Sequence, residues 1–257
     1  MKSAIKYVAA LSFTFVAFAV SAAETGPVGE VFLCKLKSGK TMADFDAAAA
    51  VFNKVVAGID AYKSYFAATL VPFRTDPSGY DVVWVGTAPN LNSWARMAEA
   101  SLTKPMKESD AAFDAVATCE SGLYFTSLLH DALPNEKDDA DTVVEAYSCK
   151  LNEGKTMADL DEPHRLYKEA VKAMAKTDPK TANFLMVEWE RWLANDPDEV
   201  TYFQVNDDME SFARSESAYY TSNEGKAAEA AWAKVLNCHN NGLWLGHRVR
   251  AGSPPTP

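Results

Sequence analysis

The sequence predicts an α+β protein made of two copies of one βαββαβ unit. Three observations predict it. A thirteen-residue stretch is written twice: Cys34 to Asp46 reads CKLKSGKTMADFD, and Cys149 to Asp161 reads CKLNEGKTMADLD, with ten identical positions at a spacing of 115. Further matches follow in the same order. Ser93-Trp94-Ala95-Arg96 answers Ser211-Phe212-Ala213-Arg214, and Cys119 with Gly122-Leu123-Tyr124 answers Cys238 with Gly242-Leu243-Trp244. Each copy also runs through the same succession of period-two and period-3.6 apolar patterns.

The elements of the first copy follow in order. Val31 to Leu36 reads as a short strand, and Lys37 to Lys40, with Gly39, as a turn. Thr41 and Asp44 have the spacing of a capping box, a hydroxyl at the N-cap and an acid three residues on. The helix that follows puts Phe45, Ala49, Phe52 and Val56 on one face. Residues 65–73 are rich in aromatic and β-branched types and read as a strand. Pro77 to Gly79 turns the chain into a strand over 81–86. Residues 91–101 and 109–117 read as helices, and 123–129 as the last strand.

The second copy repeats the pattern: strand 144–151, helix from Thr156, strands 183–192 and 200–205, helices 208–218 and 225–236, strand 243–249. Pro163 sits seven residues past Thr156, where it breaks a helix unless it falls in a first turn. Asp161 is therefore a second possible start, after which Leu166, Ala170, Val171 and Met174 turn inward.

The ends and the junction have their own signatures. Lys2 and Lys6, the apolar run Tyr7 to Val20 and the small residues Ser21-Ala22-Ala23 predict a signal peptide over 1–23, cut after Ala22 or Ala23. The apolar run is too short for a comfortable membrane span. Copy one is expected over 29–130 and copy two over 142–250. An acidic linker with one proline covers 131–141, and a disordered tail covers 251–257. The formal charge is −10 and deepens to −12 when Lys2 and Lys6 are removed. Such a charge repels phosphate backbones and anionic membranes, so neither nucleic acid nor, after signal cleavage, a membrane is an expected partner. The expected location is the bacterial periplasm or the medium.

A βαββαβ unit is the ferredoxin-like arrangement, whose sheet carries helices on one face only. The other face needs a cover, and a second copy supplies it. On this element order and duplication the chain resembles the dimeric α/β-barrel superfamily, whose relatives include antibiotic-biosynthesis-monooxygenase-like domains. The resemblance implies two units packed sheet to sheet as a pseudo-dimer within one chain. It also implies a small-molecule activity of the cofactor-independent monooxygenase or isomerase type, with no cofactor. A non-catalytic periplasmic ligand-binding or stress-related protein is the other reading.

In that sheet the first and fourth strands are neighbours. Cys34 and Cys149 fall in first strands, Cys119 and Cys238 just before fourth strands. The expected disulfides are Cys34–Cys119 and Cys149–Cys238, in an oxidising compartment. Four buried free thiols are the alternative. No CxxC or Cys/His cluster points to a metal.

Period two also sorts the first strands. Phe32, Cys34 and Leu36, like Tyr147, Cys149 and Leu151, face the helices, so Lys35 and Lys150 face the barrel interior. As ligand-binding residues they would hold a carboxylate or enolate; as strand-end lysines they would reach solvent. Residues 183–192 place Glu188 and Glu190 on one side, and Trp189 and Arg191 on the other. Glu188 beside Trp189 is a candidate base, with Trp189 contacting the ligand, and copy one lacks these acids. His247, in the final strand, is a second candidate base. The other histidines, His130, His164 and His239, have no counterpart in the opposite copy. The deciding geometry is whether Glu188, His247, Lys35 and Lys150 converge on one cavity.

Overall fold

The computed structural model describes residues 26–75, 79–133, 141–193 and 200–252. The signal peptide expected over 1–23, the centre of the linker and the tail past Gly252 lie outside the described residues. The first half runs β1 (Val28–Leu36), α1 (Met42–Val56), β2 (Phe66–Arg74), β3 (Val82–Ala88), α2 (Leu91–Ser101), α3 (Lys104–Asp114) and β4 (Ala117–Asp131). The second runs β5 (Thr142–Leu151), α4 (Asp161–Thr177), β6 (Phe184–Leu193), β7 (Val200–Asn206), α5 (Met209–Thr221), α6 (Asn223–Val235) and β8 (Leu236–Arg250).

The strands form one closed barrel in the order β1-β3-β2-β8-β5-β7-β6-β4, with every neighbouring pair antiparallel. A step of four places around this ring carries β1 to β5, β3 to β7, β2 to β6 and β4 to β8. The two halves are thus related by a pseudo-twofold axis along the barrel. The seams β2–β8 and β4–β6 are hydrogen-bonded, so closure removes every sheet edge.

The repeated motif does the same local work twice. Thr41 caps α1 in a full capping box with Asp44, and Thr156 with Asp159 forms the same box before a 3₁₀ turn. The turn glycines Gly39 and Gly154 adopt φ of 77° and 74°, a region that side chains with a Cβ avoid. Proline splits the second copy as its position requires: α4 restarts at Asp161 and holds Pro163, buried, in its first turn.

Both disulfides are formed, Cys34–Cys119 and Cys149–Cys238. Each joins residues directly opposed in register, across β1–β4 and β5–β8. The fourth strands start earlier than the sequence pattern suggests, at Ala117 and Leu236 rather than at 123 and 243. The cysteines therefore lie inside these strands, not before them. The polar stretches around Cys119 and Cys238 lack a strand's alternation, yet their backbones pair with the ends of β1 and β5.

The core has three layers. One lies between the first half-sheet and α1–α3, around Phe45, Phe52, Tyr65 and Trp84. A second lies between the other half-sheet and α4–α6, around Tyr167, Phe184 and Tyr202. The third fills the barrel, with Val31, Leu70, Val83, Tyr124, Val144 and Trp189 buried at its centre.

Candidate functional site

A large cavity lies in the first helix–sheet layer, outside the barrel. It measures about 780 Å³, within the range of small-molecule sites. Its wall is aromatic. Phe52 meets Trp84 edge to face at 5.2 Å, Phe45 meets Phe113 at 5.2 Å, and Trp84 meets Phe113 at 5.5 Å. The Cys34–Cys119 disulfide forms part of the floor. The exposed residues Leu102, Asp110, Asp114 and Leu193 also line it and mark its open side.

One carboxyl group belongs to this wall from inside the sheet. Glu30 shares the helix-facing parity of Phe32 and Cys34 on β1. It is half-buried, and it lines the cavity. The Tyr65 hydroxyl donates to Glu30 Oε1 at 2.5 Å, and the Trp84 indole N–H donates to the Tyr65 oxygen at 3.1 Å. The Trp94 indole also hydrogen-bonds Glu30. Burial raises the Glu30 pKa, and the bonds from Tyr65 and Trp94 only partly oppose it. Burial, with the nearby Glu30 charge, likewise pushes the Tyr65 phenol well above its ordinary range. Tyr65 is itself locked: it is 1% exposed, and a Cβ at Gly86 would overlap its ring and hydroxyl. The result is an aromatic wall, open on one side, with one carboxyl group held in place by hydrogen bonds.

The residues singled out from the sequence do not meet there. Lys35 and Lys150 are exposed at one mouth of the barrel, on strands four places apart in the ring. Trp189 is buried inside the barrel against Tyr124 and Phe203, at 5.4 and 4.9 Å. His247 sits on β8, with its side chain about half exposed, and pairs with Asp141 at 3.2 Å. Glu188 is buried on the helix-facing side of β6. It accepts from the Tyr202 hydroxyl at 2.6 Å and lies 2.8 Å from His164 Nε2. The four groups expected to converge are thus spread over two layers and one barrel end. The Glu188–His164–Tyr202 cluster is satisfied internally, beneath Trp232.

Glu30 carries a signal in the sequence that the motif search passed over. Counting by two from Cys34 places a carboxylate on the apolar face of β1, and the spacing of 115 puts Glu145 at the same place on β5. An acid written twice on a helix-facing register is a buried acid. Tyr65 carries no comparable signal, because its pairing with Glu30 arises only when β3 lies between β1 and β2. Among the described residues no group of three or more His, Cys, Asp or Glu side chains is arranged to hold a metal ion.

No protein-family model matches the chain, and no curated protein matches it. Solved structures do. A protein provisionally named a monooxygenase from Fusobacterium nucleatum superposes with a TM-score of 0.57 at 11% identity, covering 90% of this chain and 95% of the other. Another provisionally named monooxygenase, from Lactobacillus acidophilus, gives 0.54 at 11%, covering 88% and 95%. A protein provisionally named a chlorite dismutase gives 0.53 at 16%, covering 89% and 96%. The likeness is one of fold: the chain has the dimeric α+β-barrel architecture over most of its length.

Proposed function

We propose that the chain is an extracytoplasmic small-molecule protein, exported by its N-terminal segment and built by fusion of two copies of one unit. Its site is the aromatic cavity of the first half, and Glu30 is its acid–base group. The preferred ligand is flat and largely apolar, with one acidic proton, such as a phenol or a carbon acid beside a carbonyl. In its carboxylate form Glu30 takes that proton, with Tyr65 and Trp94 fixing its direction. Return of the proton to another carbon is isomerase chemistry and needs no further reactant. Delivery of the carbanion to O₂ is the cofactor-independent monooxygenase alternative. Two formed disulfides support the oxidising location. No helix among the described residues is long and apolar enough to cross a membrane.

The single observation that carries this reading is the acid Glu30 facing a cavity of about 780 Å³. One observation favours plain binding instead. Glu30 already accepts from two donors, which suits a fixed acceptor for a ligand N–H or O–H. Titration of apolar phenols and aryl ketones by tryptophan fluorescence, followed by hydrogen–deuterium exchange of the bound compound, separates the two. Proton-transfer chemistry requires binding plus exchange, with exchange lost in Glu30→Gln while binding persists. Binding without exchange establishes the binder. Absence of binding by the whole panel rejects the cavity as the site.

A further inference from the structure

The second half has its own helix–sheet pocket. It is smaller, about 180 Å³, and among the described residues no Lys, Arg or His lines it. Glu216 of α5 and Glu229 of α6 line it, and Glu145 of β5 stands behind Glu216. Burial and the charge of Glu145 push Glu216 up to about 7, with Glu229 adding to the effect. Glu145 and Glu229 are raised as well, chiefly by burial. Three carboxyl groups crowded together, with no cationic side chain among the described residues that line the pocket, form a site of one sign.

The rest of the wall is aromatic, with rings at steep angles to one another. Tyr202 meets Trp232 at 5.2 Å and 66°, Tyr167 meets Tyr219 at 5.8 Å and 57°, and Tyr219 meets Tyr220 at 5.3 Å and 80°. Tyr220 is 47% exposed and stands where the pocket reaches the surface. Tyr167 is only 5% exposed, yet its hydroxyl has no hydrogen-bond partner. It lies near enough to Glu216 to feel its charge. A buried hydroxyl left unpaired is costly, and this one belongs to the pocket wall. One Glu216 oxygen is held by Gln204 Nε2 at 2.9 Å, which orients the carboxyl group.

We propose that this pocket binds a small organic ammonium ion, paired with Glu216 and Glu229 and enclosed by the tyrosine and tryptophan rings. Aromatic faces attract such cations, and the attraction strengthens where water is excluded. The volume falls below the range for drug-sized ligands, so the guest is an alkylammonium or quaternary ammonium head group. An ammonium N–H would also offer the Tyr167 oxygen its missing partner. The site is separate from the Glu30 cavity and does not depend on it.

Calorimetric titration of the full mature protein tests this with tetramethylammonium, choline and butylammonium. The uncharged analogue of choline, 3,3-dimethylbutan-1-ol, and matched sodium chloride serve as controls. At least one cation should bind with millimolar or better affinity, and the uncharged analogue should bind at least about tenfold more weakly. Glu216→Gln should weaken the cation about tenfold or more, Glu229→Gln should weaken it also, and Glu30→Gln should leave it unchanged. Equal binding of choline and its uncharged analogue, no binding by any of the three cations, or full affinity in both Glu216→Gln and Glu229→Gln overturns the proposal. The comparison of charged and uncharged probes uses the unaltered chain, so misfolding of a variant cannot hide the answer.

Discussion

Removing one disulfide at a time from the two halves tests how this fold is held. Cys34–Cys119 spans 85 residues and Cys149–Cys238 spans 89. The chain-entropy relation gives about 4.6 kcal/mol at 25 °C for a loop of either length, and separates the two by less than about 0.1 kcal/mol. The loops do not overlap in sequence, so their effects should add to about 9 kcal/mol. That is most or all of the 5–15 kcal/mol that usually holds a domain folded. Native packing does not separate them. Cys34 and Cys149 are both buried in the core of their half, at 1% and 0% exposure, and Cys119 and Cys238 are both exposed and each line the pocket of their half. Replacement of either pair should therefore cost the same to within about 1 kcal/mol. The assay is guanidinium unfolding of Cys34→Ala/Cys119→Ala and Cys149→Ala/Cys238→Ala, followed by tryptophan fluorescence and circular dichroism. Each pair should lower stability by about 3–5 kcal/mol, and the fourfold variant should be unfolded or nearly so. A loss below about 1 kcal/mol in either half refutes the reasoning, because loop closure would then not be what the cross-links supply.

Three further outcomes follow from the same geometry. Gly86→Ala forces Tyr65 off Glu30, so it should destabilise by about 1–3 kcal/mol and weaken any ligand of the first cavity; unchanged melting and binding would show that Tyr65 is not held in place. Trp189→Ala empties the barrel centre beside Gly29 and should cost about 3–5 kcal/mol in urea unfolding, whereas a cost under about 1 kcal/mol would mean that the barrel is not packed around it. A carboxyl group raised to about 7 keeps a proton that the unfolded chain releases, so its contribution is intact below about pH 4.5 and is lost as the pH rises to about 7. Relative to the native chain, Glu216→Gln should thus gain about 1–2 kcal/mol between about pH 5 and 8, after discounting for solvent screening, and a gap that does not change with pH contradicts the burial of Glu216.

Much of this architecture is legible in the repeated motif. Gly, Thr and Asp at matched positions specify a turn and a capping box by local chemistry, whereas the cross-links, spanning 85 and 89 residues, become legible only once the first and fourth strands are taken as neighbours. The inward faces of α1 and α4 are legible because period 3.6 survives in both. The starts of β4 and β8 are not, because a strand paired at a barrel mouth tolerates Glu, Ser, Asn and Gly. The partners of Glu188 are not legible either. His164 lies 24 residues away on another element, and only the packing of α4 onto β6 brings it within 2.8 Å.

The location of the cavity follows from strand number. A barrel of eight strands has an interior just wide enough to be filled by side chains. Here Trp189, Tyr124 and four aliphatic residues fill its centre, so closure of the sheet consumes the space expected to hold a ligand. Room is left where helices cross a sheet, and there the halves diverge, while a shallower hollow lies beside Lys35 at the strand ends. Strand register matches Thr69 with Glu188 and Trp84 with Tyr202, since each pair occupies equivalent places across β2–β3 and β6–β7. The second half puts a carboxyl group and a phenol where the first has a hydroxyl and an indole. Its layer closes to about 180 Å³ around acids and tyrosines, while the first stays open at about 780 Å³, with Glu30 in its wall and Asp110 and Asp114 at its exposed side. The residues that make the fold match between the halves, whereas the helix-facing register of β2, β3, β6 and β7 differs. Glu30 on β1 has Glu145 on β5 as its counterpart, so the two pockets differ through the side chains set around a shared acid position rather than through the motif written twice.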